Sequence, residues 1–334
     1  MSSAHASIIE EVSCQFDPYL IFFFLNTKTF SQIASRILAK IDSVSRIGFV
    51  GLGVMGGPMA GHLASIHSNL MVWNRSEEKA EPFRLAGIEV APKLVNLSAA
   101  CDVIFTCLSR TEDVMECLDA MSSTAKPGTL FVDHSTILPE GAKKIHEKLT
   151  DQGFEFLDAP ITGGSMGAKN GQLTIFCGGT RENFERAAPL MAPYTKRAEL
   201  VGGPGAGQTM KVANQIAVGG ALLALCESIA YAKKAGLNVS QCHQLLSGGA
   251  AGSWAFDNYG PKILNEDWSP GFSITNQVKD FGYALKSASE IDASLPGTEL
   301  VNRLLSVLES RGEGQKTTAA LYETILESGF DSWK

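Results

Sequence analysis

The sequence predicts an α/β fold class: a doubly wound parallel sheet followed by an all-α C-terminal domain, with a long interdomain helix joining the two. Between residue 46 and about residue 200, short apolar segments alternate with helical patterns, which is typical of a parallel sheet covered by helices on both faces. After residue 201 no strand pattern follows, and a long helical run rich in Ala and Leu begins at Gln208. We therefore divide the chain into an N-terminal extension (1–45), a sheet domain (46–204) and a helical domain (205–334).

Each element is predicted from its own local pattern. Short apolar runs predict the strands Arg46–Val50, Leu70–Trp73, Val103–Cys107, Thr129–Val132, Phe154–Leu157 and Leu173–Cys177. Helical spacing of apolar residues predicts helices over Met55 to about Ile66, Gln208 to about Ala235, Ser240–Leu246, Lys279–Ile291 and Thr298–Leu308.

Composition excludes several classes of protein. Apolar residues make up 45% of the chain and charged residues 19%, which excludes global disorder. Against 35 Asp and Glu the chain has 28 Lys and Arg, so its net charge is −7 and we expect no nucleic-acid partner. We also expect no membrane partner, because no uninterrupted apolar run approaches the ~20 residues that a membrane span needs. Seven scattered cysteines without a C-x-x-C pair predict neither a disulfide framework nor a metal site.

The N-terminal extension leaves the location of the protein open. No Lys or Arg precedes the apolar run Tyr19–Leu25, whereas Glu10 and Glu11 do, and a secretory signal needs a positive start. The free cysteines indicate a reducing compartment, so we expect a cytoplasmic protein. Because Thr27–Lys40 has the spacing of a short basic amphipathic helix, a mitochondrial or plastid location is the alternative, if residues 1–45 are a presequence.

A glycine-rich loop predicts a dinucleotide site. Gly51-Leu52-Gly53-Val54-Met55-Gly56 matches G-x-G-x-x-G, directly follows a predicted strand and opens a predicted helix. In a Rossmann-type fold the first glycine permits a tight turn, the second lets the pyrophosphate approach the backbone, and the third allows close helix–sheet packing. The phosphates then lie over the N-terminus of the helix.

The end of the second predicted strand indicates which dinucleotide binds. NAD enzymes place Asp or Glu there for the ribose 2′-hydroxyl, whereas this chain has Asn74-Arg75-Ser76 and no acid before Glu77. A guanidinium can bind a 2′-phosphate through charge-assisted hydrogen bonds. The sequence therefore predicts a preference for NADP(H), with NAD(H) as the alternative.

Two further segments contain polar groups in an apolar setting. Asp158–Gly171 follows a predicted strand and has paired glycines whose backbone N–H groups can surround a small anion, with the Thr162 hydroxyl beside them. The same segment contains the hydrolase pattern G-x-S-x-G around Ser165, but that motif needs a helix after the serine, and we expect none before the next strand. Lys211, Asn214 and Gln215 share one face of the long helix, and a partly desolvated lysine has a lowered pKa that suits proton transfer.

Together these motifs resemble the β-hydroxyacid dehydrogenases, the family of 3-hydroxyisobutyrate dehydrogenase, tartronate semialdehyde reductase and the glyoxylate and succinic semialdehyde reductases. The similarity extends from Arg46 to about Leu326. Four motifs occur in the family's order: GLGVMG, DAPITGGSMGAKNG, GAGQTMKVANQ and the late Lys279-Asp280. The Lys-Val-Ala-Asn-Gln form is most similar to the tartronate semialdehyde reductases, while Thr162 stands where the family often has Ser.

The resemblance implies hydride transfer between NADP(H) and a small β-hydroxy acid or its semialdehyde, in a homodimer or homotetramer. It implies that Lys211 is the catalytic lysine, which protonates the carbonyl oxygen in reduction and deprotonates the hydroxyl in oxidation. Contacts with the small carboxylate substrate would come from Thr162, Gly163, Gly164 and Asn214, and contacts with the nicotinamide half of the cofactor from Leu108, Thr136 and Lys279. Two alternatives remain: a non-catalytic NADP-binding module on the same fold, and an imine reductase.

Overall fold

The computed structural model describes residues 46–327. The interpretations of residues 1–45, including Tyr19–Leu25 and Thr27–Lys40, fall outside the described residues, as do the last seven residues of the predicted helical domain. The oligomeric state and the cellular location stay predictions.

The first part of the described chain forms one mixed sheet with helices on both faces. Its strands are β1 (Ile47–Val50), β2 (Leu70–Trp73), β3 (Glu89–Val90), β4 (Val103–Thr106), β5 (Leu130–Asp133), β6 (Glu155–Asp158), β7 (Ile161–Thr162), β8 (Leu173–Gly178) and β9 (Thr195–Gly202). Its helices are α1 (Gly56–Ala64), α2 (Glu81–Leu85), α3 (Leu94–Ala100), α4 (Thr111–Ser122), α5 (Pro139–Asp151), α6 (Gly164–Lys169) and α7 (Arg181–Met191).

The strand order creates a cleft at one edge of the sheet. The order is β3-β2-β1-β4-β5-β6-β8-β7, with β9 beside β8, and the first six strands run parallel. Pairing aligns the last residues of four strands in one row: Val50, Thr106, Asp133 and Asp158. Because the order reverses between β1 and β4, the loops that follow these strands diverge and leave a crevice, where α/β sheets bind ligands.

Burial on both faces confirms the doubly wound prediction. On one face Phe49 and Phe105 pack against Met59 of α1, while on the other Ile104 and Phe131 pack among α3, α4 and α5. Successive strand residues point to opposite faces, so a strand with helices on both sides must be apolar throughout. All four residues of β1 and of β4 are buried.

The sheet departs from an all-parallel arrangement after β6. A parallel return needs a crossover of a dozen or more residues, usually helical, whereas the chain here turns through β7 and the short α6. As a result β8 runs antiparallel to both β6 and β7. The strand β9 was not predicted, because its sequence includes Lys196, Arg197 and Glu199 and none of its residues is buried.

The second part is helical around the long helix α8 (Ala206–Lys234), as predicted. It also contains α9 (Val239–Ser247), α10 (Trp254–Leu264), α11 (Ile274–Glu290), α12 (Pro296–Ser310) and α13 (Leu321–Glu327). The sequence patterns did not predict α10 or α13, and they placed the start of α11 too late. The structure starts α11 after Ser273, which caps the helix by accepting a hydrogen bond from the Asn276 N–H. Gly219 lets α11 approach α8 closely, because any Cβ there would collide with the Phe281 ring.

Among the described residues, one helix, α8, is long and apolar enough to cross a membrane, judged by length and composition alone. A core helix passes the same test, and α8 has Leu222, Leu225 and Ile229 in the helical core and Gln208, Lys211 and Gln215 among its buried polar residues.

Candidate active site

The predicted dinucleotide loop has the geometry that its glycines imply. Gly51 has a φ of +97°, which favours glycine, and a Cβ on Gly56 would overlap the Gly51 carbonyl oxygen. By contrast, apart from Gly53 itself and its two chain neighbours, no atom of residues 46–327 lies within 4 Å of a Cβ built on Gly53. Packing among the described residues therefore requires glycine at positions 51 and 56. Gly53, in contrast, leaves an open position over the start of the helix. This open position fits a phosphate group that approaches the backbone.

The Asn74 side chain holds this loop through two hydrogen bonds to the backbone. The Leu52 N–H donates to Asn74 Oδ1 at 2.8 Å, and Asn74 Nδ2 donates to the Ser76 carbonyl oxygen at 2.9 Å. The side chain thus joins the glycine loop to the turn that follows β2. Val54 and Met55 complete the turn into α1, where Val54 is exposed and Met55 is the N-cap.

The cleft beside this loop brings together the residues predicted to bind the ribose 2′-phosphate. Asn74, Arg75 and Ser76 line it with Gly51 and Gly53, and Leu108 lies on the same lining. Lys79 lines it as well and was missed, although a second cation four residues after Arg75 was a visible signal. The lining also includes Asp113 and Glu116 of α4.

The loops after β4 and β5 are held by a buried polar network. Asp133 Oδ1 accepts hydrogen bonds from Thr106 Oγ1 (2.7 Å) and Ser135 Oγ (2.6 Å), and the Leu108 N–H donates to Ser135 Oγ (2.7 Å). Burial raises the pKa of Asp133 to about 6, against the effect of its hydrogen bonds. This network holds Leu108, which lines the cleft.

Lys279 joins the two loops from the helical part. Its Nζ donates to the carbonyl oxygens of Ser109 (2.6 Å) and Thr136 (3.0 Å) and lies 3.1 Å from Asp280 Oδ1. The structure thus places Lys279 beside Thr136 and beside Ser109, which lines the cleft. These contacts connect the two loops, and the cofactor contact of Lys279 stays a prediction.

Lys211 is buried at the start of α8, with 6% of its surface exposed. Its Nζ donates to the Ile161 carbonyl oxygen at 2.8 Å, beside the predicted substrate residue Thr162. Burial lowers the pKa of Lys211 to about 8; the Asp280 carboxylate opposes this shift and the Lys279 charge adds to it. A lysine in this setting can both donate and accept a proton near neutral pH.

The polar neighbours of Lys211 form a chain along the same helix face. Asn214 Nδ2 donates to Gln215 Oε1 at 2.9 Å, and Gln215 Nε2 donates to Asp280 Oδ2 at 2.8 Å. Asp280 is only 2% exposed, so its charge acts in a setting of low polarity. Sequence reasoning noted Lys279-Asp280 but did not place Asp280 against Gln215.

The predicted substrate loop has two residues in backbone conformations that favour glycine. Gly163 has a φ of +129° and Gly164 a φ of +65°, directly after Thr162 on β7. Trp254 of α10 lies over this loop, since two of its ring carbons are 3.6 and 3.7 Å from a Cβ built on Gly164. Trp254 was missed because α10 itself was not predicted.

One expectation about this loop was wrong. Ser165 lies in helix α6, whereas we expected no helix before the next strand. The paired glycines allow the chain to turn into a helix after only two residues of β7. This helix does not support the hydrolase hypothesis, because a hydrolase also needs a downstream histidine near the serine. The downstream His243 is engaged elsewhere, with its Nε2 2.8 Å from the Phe256 carbonyl oxygen. Among residues 46–327, no group of three His, Cys, Asp or Glu side chains is arranged to hold a metal ion.

Comparison with known proteins agrees with this arrangement. A family profile described as the NAD binding domain of 6-phosphogluconate dehydrogenase matches residues 46–203. A second, described as NAD-binding of NADP-dependent 3-hydroxyisobutyrate dehydrogenase, matches residues 205–325. The chain is 37% identical to the probable 3-hydroxyisobutyrate dehydrogenase-like 1, mitochondrial, of Arabidopsis thaliana, over 90% of each chain. The chain belongs to the β-hydroxyacid dehydrogenase family.

Two further relatives are similar to this β-hydroxyacid dehydrogenase over most of its length. The 2-hydroxy-3-oxopropionate reductase of Escherichia coli is 35% identical, over 84% of this chain and 97% of the relative. The structure of Mycobacterium tuberculosis 3-hydroxyisobutyrate dehydrogenase with L-serine superposes with a TM-score of 0.78 at 28% identity, over 85% of this chain and 100% of that one. This member of the family is therefore an NAD(P)-dependent oxidoreductase that acts on the CH–OH group of hydroxy acids.

The glycine loop of this β-hydroxyacid dehydrogenase supports a matched pair of predictions. We expect Gly53→Ala to leave the melting temperature nearly unchanged and to weaken dinucleotide binding, because the added methyl group occupies only the open position. We expect Gly56→Ala to destabilise the fold by about 1–3 kcal/mol, because its methyl group overlaps the Gly51 backbone. Thermal unfolding with and without dinucleotide measures both effects, and equal loss of stability in the two variants would contradict this interpretation.

Proposed function

We propose that the enzyme transfers a hydride between NADP(H) and a small β-hydroxy acid or its semialdehyde, with Lys211 as the proton donor and acceptor. The observation on which this rests is the placement of Lys211. Its buried amino group donates to the Ile161 carbonyl oxygen, one residue before the loop of Thr162, Gly163 and Gly164. The proposed proton-transfer group and the predicted anion-binding loop are thereby adjacent.

The substrate loop favours a small molecule with a carboxylate. Gly163 and Gly164 have no side chains, so their backbone can approach a substrate closely, and the Thr162 hydroxyl is a further donor. Trp254, which is 46% exposed, lies beside Gly164 and would contact a molecule held by this loop. These features support tartronate semialdehyde (2-hydroxy-3-oxopropionate), glyoxylate, succinic semialdehyde and methylmalonate semialdehyde as the substrates to compare.

The chain's own residues orient the substrate and move the proton. A bound nicotinamide supplies or accepts the hydride, and the protein supplies orientation and electrostatics. In reduction, protonated Lys211 donates a hydrogen bond to the carbonyl oxygen and stabilises the negative charge that develops there. It then gives up its proton to that oxygen, while Asn214 and the substrate loop (Thr162, Gly163 and Gly164) hold the substrate. In oxidation, neutral Lys211 removes the proton from the hydroxyl group.

The preference for NADP(H) is supported by the cations beside the cleft. Arg75 and Lys79 lie on its lining, where an NAD enzyme would have an acid, and Ser76 adds a hydroxyl. Among the described residues, no hydrogen bond or ion pair engages the Arg75 guanidinium, so it is available for a phosphate. The profile matched by residues 205–325 is described as that of an NADP-dependent enzyme.

The activity test follows the loss of NADPH or NADH absorbance with each of the four aldehydes. We expect turnover with NADPH that differs between aldehydes and thereby ranks them. Tight NADPH binding without turnover of any aldehyde would favour a non-catalytic binding module. Turnover of a cyclic imine in place of the aldehydes would favour an imine reductase.

The pH dependence should differ in sign between the two directions. Reduction needs protonated Lys211, and burial lowers the pKa of this residue to about 8. Below that pH kcat/KM for reduction should therefore be constant, and above it should fall about tenfold per pH unit. Oxidation needs the neutral amine, so its kcat/KM should fall as the pH drops below about 8. Initial rates measured against pH in both directions give these profiles. A change of slope in kcat/KM near the ordinary lysine pKa, in place of about 8, would contradict the assignment of Lys211 as the proton donor and acceptor.

A further inference from the structure

The N-terminus of α8 is capped by a side chain from the sheet. Asp158 ends β6 and is fully buried; its Oδ1 accepts the Gly205 N–H at 2.8 Å and its Oδ2 accepts the Gln208 N–H at 2.9 Å. Gly205 is the N-cap of α8 and has no side chain to satisfy the first free N–H groups of the helix. The distant carboxylate replaces a local capping box, in which the N-cap and third helical residues cap each other's N–H groups.

Close backbone packing shows that this contact is tight. A Cβ on Gly207 would overlap the Phe176 carbonyl oxygen and lie 2.7 Å from the Asp158 carbonyl oxygen. A Cβ on Gly178 would lie 2.5 Å from Asp158 Oδ1 and 2.6 Å from the Gly207 nitrogen. Two glycines on facing elements are thus required where the helix meets the strand.

Gln208 makes a second connection from the same helical turn. Its Nε2 donates to the Ser135 carbonyl oxygen at 2.8 Å, and its Oε1 accepts the Ile137 N–H at 3.1 Å. These two residues flank Thr136 in the loop after β5. The first turn of α8 is therefore joined to the ends of two neighbouring strands.

Lys211 lies one helical turn beyond Gln208, and its partner Ile161 lies three residues beyond Asp158. The same two segments are thus connected twice, once through Asp158 and once through Lys211 Nζ. We propose that Asp158 is a positioning residue that, with Gln208, fixes the start of α8 at the carboxyl ends of the parallel strands and thereby holds the Lys211 amino group beside the Ile161 carbonyl oxygen. This rests on the role proposed above for Lys211.

The helix N-terminus favours the charged form of Asp158, whereas burial opposes it. The N-terminus of a helix has a partial positive charge, and charge-assisted hydrogen bonds to N–H groups are stronger than neutral ones. Burial raises the pKa of Asp158 to about 7, and the N–H groups of Gly205 and Gln208 oppose that rise. Removing the carboxylate would leave both N–H groups buried without this acceptor, so the start of the helix should move.

The test combines two measurements that need no substrate with one that does. In Asp158→Ala we expect amide hydrogen exchange at residues 205–208 to be at least ~10-fold faster than in the wild type. We expect the pKa of Lys211, measured from the pH dependence of its labelling by acetic anhydride, to rise from about 8 toward 10.5, because the displaced amine is better solvated. With a semialdehyde that the wild type reduces, kcat should fall at least ~10-fold.

Other variants make the result specific. Asp158→Asn retains one acceptor oxygen and should show smaller changes of the same kind. If Asp158→Ala does not fold, Gln208→Met removes the second connection, and its Lys211 pKa should also rise. Asn238→Ala removes an N-cap of α9, whose Oδ1 accepts the Gln241 N–H at 2.9 Å, and should lower stability without altering Lys211.

Two results would separate the proposals. An unchanged Lys211 pKa and unchanged exchange at residues 205–208 in the folded Asp158 and Gln208 variants would overturn the positioning role. Failure of the wild type to reduce any semialdehyde would overturn the proposed function, while labelling and exchange would still test the connection between Asp158 and Lys211.

Discussion

Replacing Lys211 by alanine is expected to lower kcat for semialdehyde reduction by at least ~100-fold, the scale of a positioned acid or base. The substitution removes the buried amino group beside Thr162 and the proton that it donates. The dissociation constant for NADPH should change little, because the glycine loop and the Arg75 cleft are built from other elements. Steady-state rates and NADPH fluorescence titration measure the two quantities separately.

A matched lysine controls for the loss of one positive charge. Lys144 is exposed and its Nζ lies 3.8 Å from Glu140 on α5, so Lys144→Ala should leave kcat unchanged. If Lys211→Ala retains kcat within about threefold of the wild type, far less than acid–base catalysis contributes, Lys211 is not the proton donor.

Replacing Arg75 by alanine is expected to raise KM for NADPH by roughly 10- to 100-fold and to leave KM for NADH nearly unchanged. A hydrogen bond to a charged group contributes about 1.5–3 kcal/mol, and 1.4 kcal/mol corresponds to about a tenfold change in affinity. NADH lacks the 2′-phosphate, so it loses no such contact. Comparing kcat/KM for the two cofactors in the wild type and the variant measures this preference.

Two variants refine the result for Arg75. Lys79→Ala should have a smaller effect of the same kind, because a lysine is a flexible point charge and not a planar fork. Arg84→Ala is the control, since Arg84 is exposed on α2 and pairs with Glu81. An NADH efficiency equal to or above the NADPH efficiency in the wild type would refute the assignment of Arg75.

Local patterns were sufficient for several parts of the fold and the site. The apolar runs of β1, β2 and β4 appear in the sequence because both faces of these strands are covered. The spacing of Gly51, Gly53 and Gly56 indicates a dinucleotide loop, because backbone conformation and close approach depend on the absence of a Cβ. The offsets between Lys211, Asn214 and Gln215 place these side chains on one helix face without reference to the rest of the chain.

Other features became visible only in the tertiary structure. The antiparallel direction of β8 depends on how the chain turns between β6 and β8, and the exposed β9 shows little apolar pattern. Trp254 reaches the substrate loop only because α10 packs beside it.

The sequence by itself determined the class of this protein, the type of its cofactor loop and the identity of the lysine to test. Tertiary structure decided what surrounds that lysine: the Ile161 carbonyl oxygen, the charge of Asp280 and the connection of α8 to Asp158. The physical reason is the range of the interactions involved. Periodicity and glycine spacing act over a few residues, whereas the partners of Lys211 and α8 lie about 50 or more residues away and depend on packing.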